Sequence, residues 1–96
     1  MNQDLIWKKA LERWGKNAQL LMAIEELNEL SVEILHQLRG RIDINDSIVG
    51  EIADVEIMVE QLKYIMSQTD DDYYRKVMVA KHNKMNRLME RLGMKQ

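Results

Sequence analysis

The sequence predicts an all-α fold, a helical bundle of about four helices completed by oligomerisation. Three observations predict it. The 96 residues contain no proline and only four glycines, at positions 15, 40, 50 and 93, so helices run long without interruption. Met, Leu, Ile, Glu and Lys dominate, a composition that favours helix. No cysteine is present, so disulfides cannot stiffen so short a chain; long helices, bound ions or association remain as sources of stability. The length fits one domain, residues 1–96.

Each helix follows from its spacing. Asn2 or Asp4 caps a first helix to about Trp14, with Leu5, Ile6, Ala10, Leu11 and Trp14 as its apolar side and Trp7 off that stripe. Gly15 offers a break. A second helix runs from about Lys16 to Arg39, with Leu20, Ile24, Leu27, Ser31, Ile34 and Leu38 as a bundle-type seam. Gly40 stands where a terminating glycine belongs. Arg41 to Asp46 reads as a short loop, and Asn45, Asp46 or Ser47 as the next cap. The third helix runs from about Ser47 to Ser67 with Ile48, Ile52, Val55, Met58, Val59, Leu62 and Ile65 as its stripe. Gln68 to Asp72 is a turn with Thr69 or Asp70 as cap, and the last helix reaches Leu92 before Gly93. Its seam, Tyr74, Met78, Lys81, Met85, Leu88 and Leu92, steps 4-3-4-3-4 with one lysine in it.

The formal charge of −2 lacks the basic footprint of a protein that coats a nucleic acid polymer. No run of 18 apolar residues exists to span a membrane, and the N-terminus is not signal-like, so a cytoplasmic protein is expected. No Gly-rich phosphate loop, nucleophile elbow or Cys–His pair occurs. His36 and His82 lack metal-ligand spacing.

Two acidic pairs break the pattern. Glu26 and Glu29 stand three apart on the second helix, and Glu51 and Asp54 three apart on the third, so each pair shares a face. Glu51 and Asp54 fall inside the apolar arc of their helix, while Glu56, Glu60 and Lys63 fall opposite. Buried carboxylates need a partner. Glu26, Glu29 and Glu33 lie opposite the second helix's main stripe, a face flanked by Met22 and Leu30, which reads equally as solvated surface, cleft wall or contact. If the two pairs meet, four carboxylates repel strongly and either protonate or take up cations. An oxygen-only set suits Mg²⁺ or Mn²⁺ rather than Zn²⁺, and Mg²⁺ of that kind points to phosphate chemistry.

The pattern E-E-x-x-E (Glu25, Glu26, Glu29), 21 residues, then E-x-x-D (Glu51, Asp54) resembles the MazG-like all-α nucleoside triphosphate pyrophosphohydrolases. So does its context: Trp14, Gly15 and Gln19 as W-G-x-x-x-Q, Ala53 to Val55 as A-D-V, and a basic last helix. The resemblance covers nearly the whole chain. It implies a hydrolase that cleaves a nucleoside triphosphate between the α and β phosphates, releasing monophosphate and pyrophosphate. It implies Glu26, Glu29, Glu51 and Asp54 as Mg²⁺ ligands and Glu25 as the motif's first acid. It implies Lys81, Lys84 and Arg87 as phosphate contacts, although Met85 stands where the family's K-x-x-x-N pattern has its asparagine. A base pocket would involve Trp14 and Gln19, and the protein would work as a homodimer or homotetramer. An aromatic beside an apolar helix stripe is more often core, and Trp14 reads first as a core aromatic. Two other readings keep the fold: a helical interaction module whose acids only solvate or pair, and a nucleotide sensor that binds without cleaving.

Overall fold

The computed structural model describes residues 1–40 and 45–95 and, in the third helix, side chains from Ile48 onward. Four helices follow in order: α1 (Gln3–Trp14), α2 (Lys16–Leu38), α3 (Asn45–Ser67) and α4 (Tyr73–Arg91). No strand occurs among the described residues. No helix among them is long and apolar enough to cross a membrane. Of the loop expected at Arg41 to Asp46, residues 41–44 lie outside what is described, and α3 begins at Asn45, two residues before the expected start, so that Asn45, Asp46 and Ser47 all belong to the helix. The chain divides into two compact units, Met1–Ile65 and Met66–Gln96.

In the first unit, Asn2 caps α1: its side-chain oxygen accepts from the Leu5 amide at 3.1 Å. Gly15 ends α1 and begins α2 in one residue, at φ 83° and ψ 163°. A Cβ there meets no atom within 4 Å, so glycine is required by the backbone conformation and not by space. The Gly15 carbonyl still accepts from the Gln19 amide at 3.2 Å, so α2 starts without a side-chain cap.

α2 and α3 run antiparallel, and chain length dictates it. Glu26 and Asp54 bring carboxylate oxygens within 4.8 Å of each other. A parallel α3 would start about 31 Å from the end of α2, and seven peptide links span at most about 27 Å. Since Glu26 meets Asp54, residues whose numbers sum to about 80 share a level along the pair. Ala23 and Met58 then form one buried layer and Gln19 and Gln61 the next. Ala10 of α1 and Ile65 of α3 complete the buried set among the described residues.

Two expectations are corrected here. The α2 seam does not face the core: Ile24, Leu27, Ser31, Ile34 and Leu38 are exposed and Leu20 is half-buried. The inward line is Gln19, Ala23, Glu26, Leu30 and Glu33, rotated by about 100° from that seam. The small Ala23 and the polar Gln19 carry little hydrophobicity, so a periodicity argument passes over them. Trp14 is the second correction to a core reading: it is 53% exposed, with the Arg13 guanidinium 5.7 Å from its ring centroid. On α3 the expected stripe holds in part, with Met58 and Ile65 buried but Ile52 and Val59 exposed.

In the second unit, α4 has no buried residue. Its start is organised by two aspartates. Asp70 accepts from the Asp72 amide at 3.0 Å and from Lys76 Nζ at 2.7 Å, while Arg75 binds both carboxylate oxygens of Asp72. These bonds hold both carboxyls below the usual aspartate range, chiefly through Lys76 for Asp70 and Arg75 for Asp72. A depressed carboxyl stabilises the fold above its unfolded pKa of 3.8, and that contribution is lost as pH falls through the lower folded value. Asp70→Ala is therefore expected to speed hydrogen exchange at the Tyr73–Lys76 amides above pH 4. The difference from the parent should disappear in acid, where Asp70 is protonated in both the folded and unfolded parent.

Candidate metal centre

Three carboxylates converge where α2 passes α3. Glu26, Glu51 and Asp54 each present one oxygen, and these oxygens lie within 4.8 Å of one another. Glu26 and Glu51 are half-buried and Asp54 is exposed. The placement follows from helix geometry: Glu51 and Asp54 are one turn apart on α3, and Glu26 sits on the inward line of α2.

The site is under electrostatic stress. One oxygen each of Glu26 and Glu51 is buried without a hydrogen-bond partner. Burial raises the Glu26 carboxyl above its ordinary 4.5, and the charges of Glu29, Asp54 and Glu51 raise it further. Burial likewise raises Glu51, followed by Glu29, Asp54 and Glu33. Contact with the Glu29 carboxyl also favours a proton on each of the two. Among the described residues, no lysine or arginine stands among the causes of either shift. Orphaned buried oxygens, mutual repulsion and an all-oxygen donor set together fit a hard divalent cation.

Glu29 is not in the three-oxygen cluster but stands beside it. It lines a cavity of about 240 Å³ with Asn28, Val32, Glu33 and Glu51. Glu33 and Asn28 are additions that the sequence reading did not single out as site residues. Glu33 lies seven residues after Glu26, two turns along the same face, and that spacing was the signal for it. His36 Nδ1 lies 3.7 Å from Glu33 on the far side of that group. Glu25 is exposed and outside the cluster, one residue and therefore about 100° round the helix from Glu26.

The remaining candidates are scattered. Gln19 is 1% exposed and its amide nitrogen has no hydrogen-bond partner. Trp14 lies on the surface, edging a cavity of about 320 Å³ with Ile6, Lys9, Ala10, Arg13 and Gln61. Gln19 does not line that cavity, so the two halves of the expected base pocket do not meet there. Lys81, Lys84 and Arg87 are all exposed on α4. Lys84 and Arg87 share a shallow cavity with Arg91. Comparison of the chain with protein-family models, with curated proteins and with solved structures returns no match.

Proposed function

We propose that the chain is a Mg²⁺-dependent nucleoside triphosphate pyrophosphohydrolase that converts a ribo- or deoxynucleoside triphosphate to the monophosphate and pyrophosphate, as housecleaning of the nucleotide pool. The observation that carries the reading is the convergence of Glu26, Glu51 and Asp54 from two helices, with no cationic side chain among the described residues standing beside them as balancing charge. These three residues would hold the ion, with Glu29 at its edge; Mn²⁺ would substitute for it. When bound, such an ion neutralises phosphate charge and acidifies a coordinated water.

The chain's own residues supply the rest. Glu29 and Glu33, on the cavity wall, accept a proton from water positioned there, which is the general-base role. Asn28 on the same wall offers an amide to a phosphate or sugar oxygen. Lys81, Lys84 and Arg87 carry the positive charge that the phosphates need, as the family resemblance implies. The working form is a homodimer or homotetramer.

The test is pyrophosphate release from a panel of ribo- and deoxynucleoside triphosphates, with Mg²⁺ and with chelator. Mg²⁺-dependent release of pyrophosphate is expected; release of orthophosphate alone, or no release, overturns the reaction. A second reading, a non-catalytic helical interaction module, draws support from the exposed apolar seam of α2. It predicts association without any effect of Mg²⁺ on melting. A sensor would bind triphosphate with Mg²⁺ and release nothing.

A further inference from the structure

One cavity of the first unit carries the opposite charge to the acids. It is the space of about 320 Å³ lined from α1 by Ile6, Lys9, Ala10, Arg13 and Trp14 and from α3 by Gln61. Ala10 and Gln61 form its closed end, both nine-tenths buried. Ile6 and Trp14 add apolar surface that is open to solvent, and Lys9 and Arg13 stand exposed at the rim. The volume falls at the lower end of small-molecule sites. Its polar groups are unmatched. Among the described residues, the lysines and arginines in ion pairs are Lys63, Arg75 and Lys76. Lys9 and Arg13 have no carboxylate, and the Arg13 guanidinium lies over the Trp14 ring instead. The Gln61 amide makes no hydrogen bond among the described residues. A buried amide in that state costs free energy until a partner arrives.

We propose that this cavity binds a small aromatic anion, a ring that carries a carboxylate or a phosphate. The sign follows from Lys9 and Arg13. A neutral ring would leave both cations unbalanced, and a cationic ring would be repelled. The two stand four residues apart and so share one face of α1. The Arg13 fork takes two oxygens of the anionic group, and the Lys9 ammonium adds a point charge beside them. The ring follows from Ile6, Ala10 and Trp14, which a bare inorganic anion would leave uncovered. Gln61 is the polar handle at the closed end, able to donate to an anion oxygen or to accept from a ring substituent. The acids do not oppose such a ligand. Gln61 stands seven residues beyond Asp54, about 10 Å along α3, and charges are screened over about 8 Å at physiological salt. The site differs from the expected base pocket, because Gln19 does not line it and a neutral base brings no charge to Lys9 and Arg13. None of this depends on the hydrolase reading.

The test follows the Gln61 side-chain amide and the Trp14 indole N–H by nuclear magnetic resonance of the full chain in chelator. Benzoate, phenyl phosphate, inorganic phosphate, benzyl alcohol, benzylamine and uridine are titrated separately. Benzoate or phenyl phosphate is expected to move both signals saturably, and the tighter of the two identifies the anionic group. The other four should bind about tenfold or more weakly. The double variant Lys9→Gln/Arg13→Gln should raise Kd for the aromatic anion by about tenfold or more, with unchanged helical circular dichroism, because both side chains are exposed. Arg13→Gln alone is the second variant, should the double one disturb folding. Gln61→Met, which keeps the length of the side chain without its amide, should weaken binding by a smaller factor. Failure of both aromatic anions to shift the two signals overturns the proposal. So does equal affinity for benzyl alcohol, which would mean an apolar patch, or for uridine, which would mean a base pocket. Unchanged Kd in the Lys9→Gln/Arg13→Gln variant overturns it as well. Mg²⁺-dependent pyrophosphate release is scored separately, so the anion site and the reaction fail independently.

Discussion

Glu51→Gln is expected to lower Mg²⁺-dependent pyrophosphate release by about three orders of magnitude, equivalent to about 4 kcal/mol of transition-state stabilisation. The substitution keeps the size and polarity of the side chain but removes the charge from the centre of the cluster. Glu51 is the residue at which the cluster and the cavity overlap: it presents an oxygen to Glu26 and Asp54 and also lines the space with Glu29 and Glu33. Asp54→Asn and Glu26→Gln should fall by similar factors. Glu56→Gln is the control, an exposed acid of the same helix outside the cluster. Equal rates for Glu51→Gln and Glu56→Gln would mean that the clustered acids carry no chemistry.

The second large effect is on stability. Mg²⁺ at about 100 times its dissociation constant should stabilise the fold by about 2.7 kcal/mol, which in a domain this small raises Tm by roughly 10–20 °C. The sign of the pH dependence sharpens the test. The carboxyls of Glu26 and Glu51 are raised in the folded state, so the fold binds their protons more tightly than the unfolded chain does. In chelator, stability should therefore fall as pH rises from 4.5 through the raised folded values, and the deficit should be complete once both groups ionise. The cation offsets that repulsion. Glu51→Gln in chelator at neutral pH should melt above the parent, and adding Mg²⁺ should move it little. A parent whose Tm ignores Mg²⁺ across that pH range would favour the interaction module.

The helices were legible because the chain punctuates itself. Asn2, Gly15, Gly40 and Gly93 mark ends, and α1 and α2 meet at Gly15 where the sequence places the break. Spacing put Glu26 and Glu29 on one face and Glu51 and Asp54 on another but left open whether the pairs meet; the fold brings Glu26, Glu51 and Asp54 together and leaves Glu29 beside them. The rotation of α2 was not. Its largest aliphatic residues form the more regular stripe, and hydrophobicity assigned that stripe to the core. The interior instead took the small Ala23 and the polar Gln19, which is 1% exposed with its amide nitrogen unpartnered. A stripe of that strength facing outward is what an associating helix looks like, and one sequence cannot tell its own interior from a shared one. Glu33 escaped for a related reason: as the third acid on a face read as equally solvated, it gained meaning only when the cavity wall was traced.

The buried glutamines have a bearing on how firmly the acids are aligned. Gln19 and Gln61 share a level two turns from Glu26 and Asp54. If α3 slid past α2 by one turn, Gln19 would come level with Ile65 and Gln61 with Ala23, setting each buried amide against an apolar neighbour instead of the other. The same slide would set Glu26 beside Met58. An all-leucine seam would tolerate several such offsets almost equally; this one is keyed like a lock with a single notch, and the key sits far enough from the acids that chemistry there can drift without losing alignment.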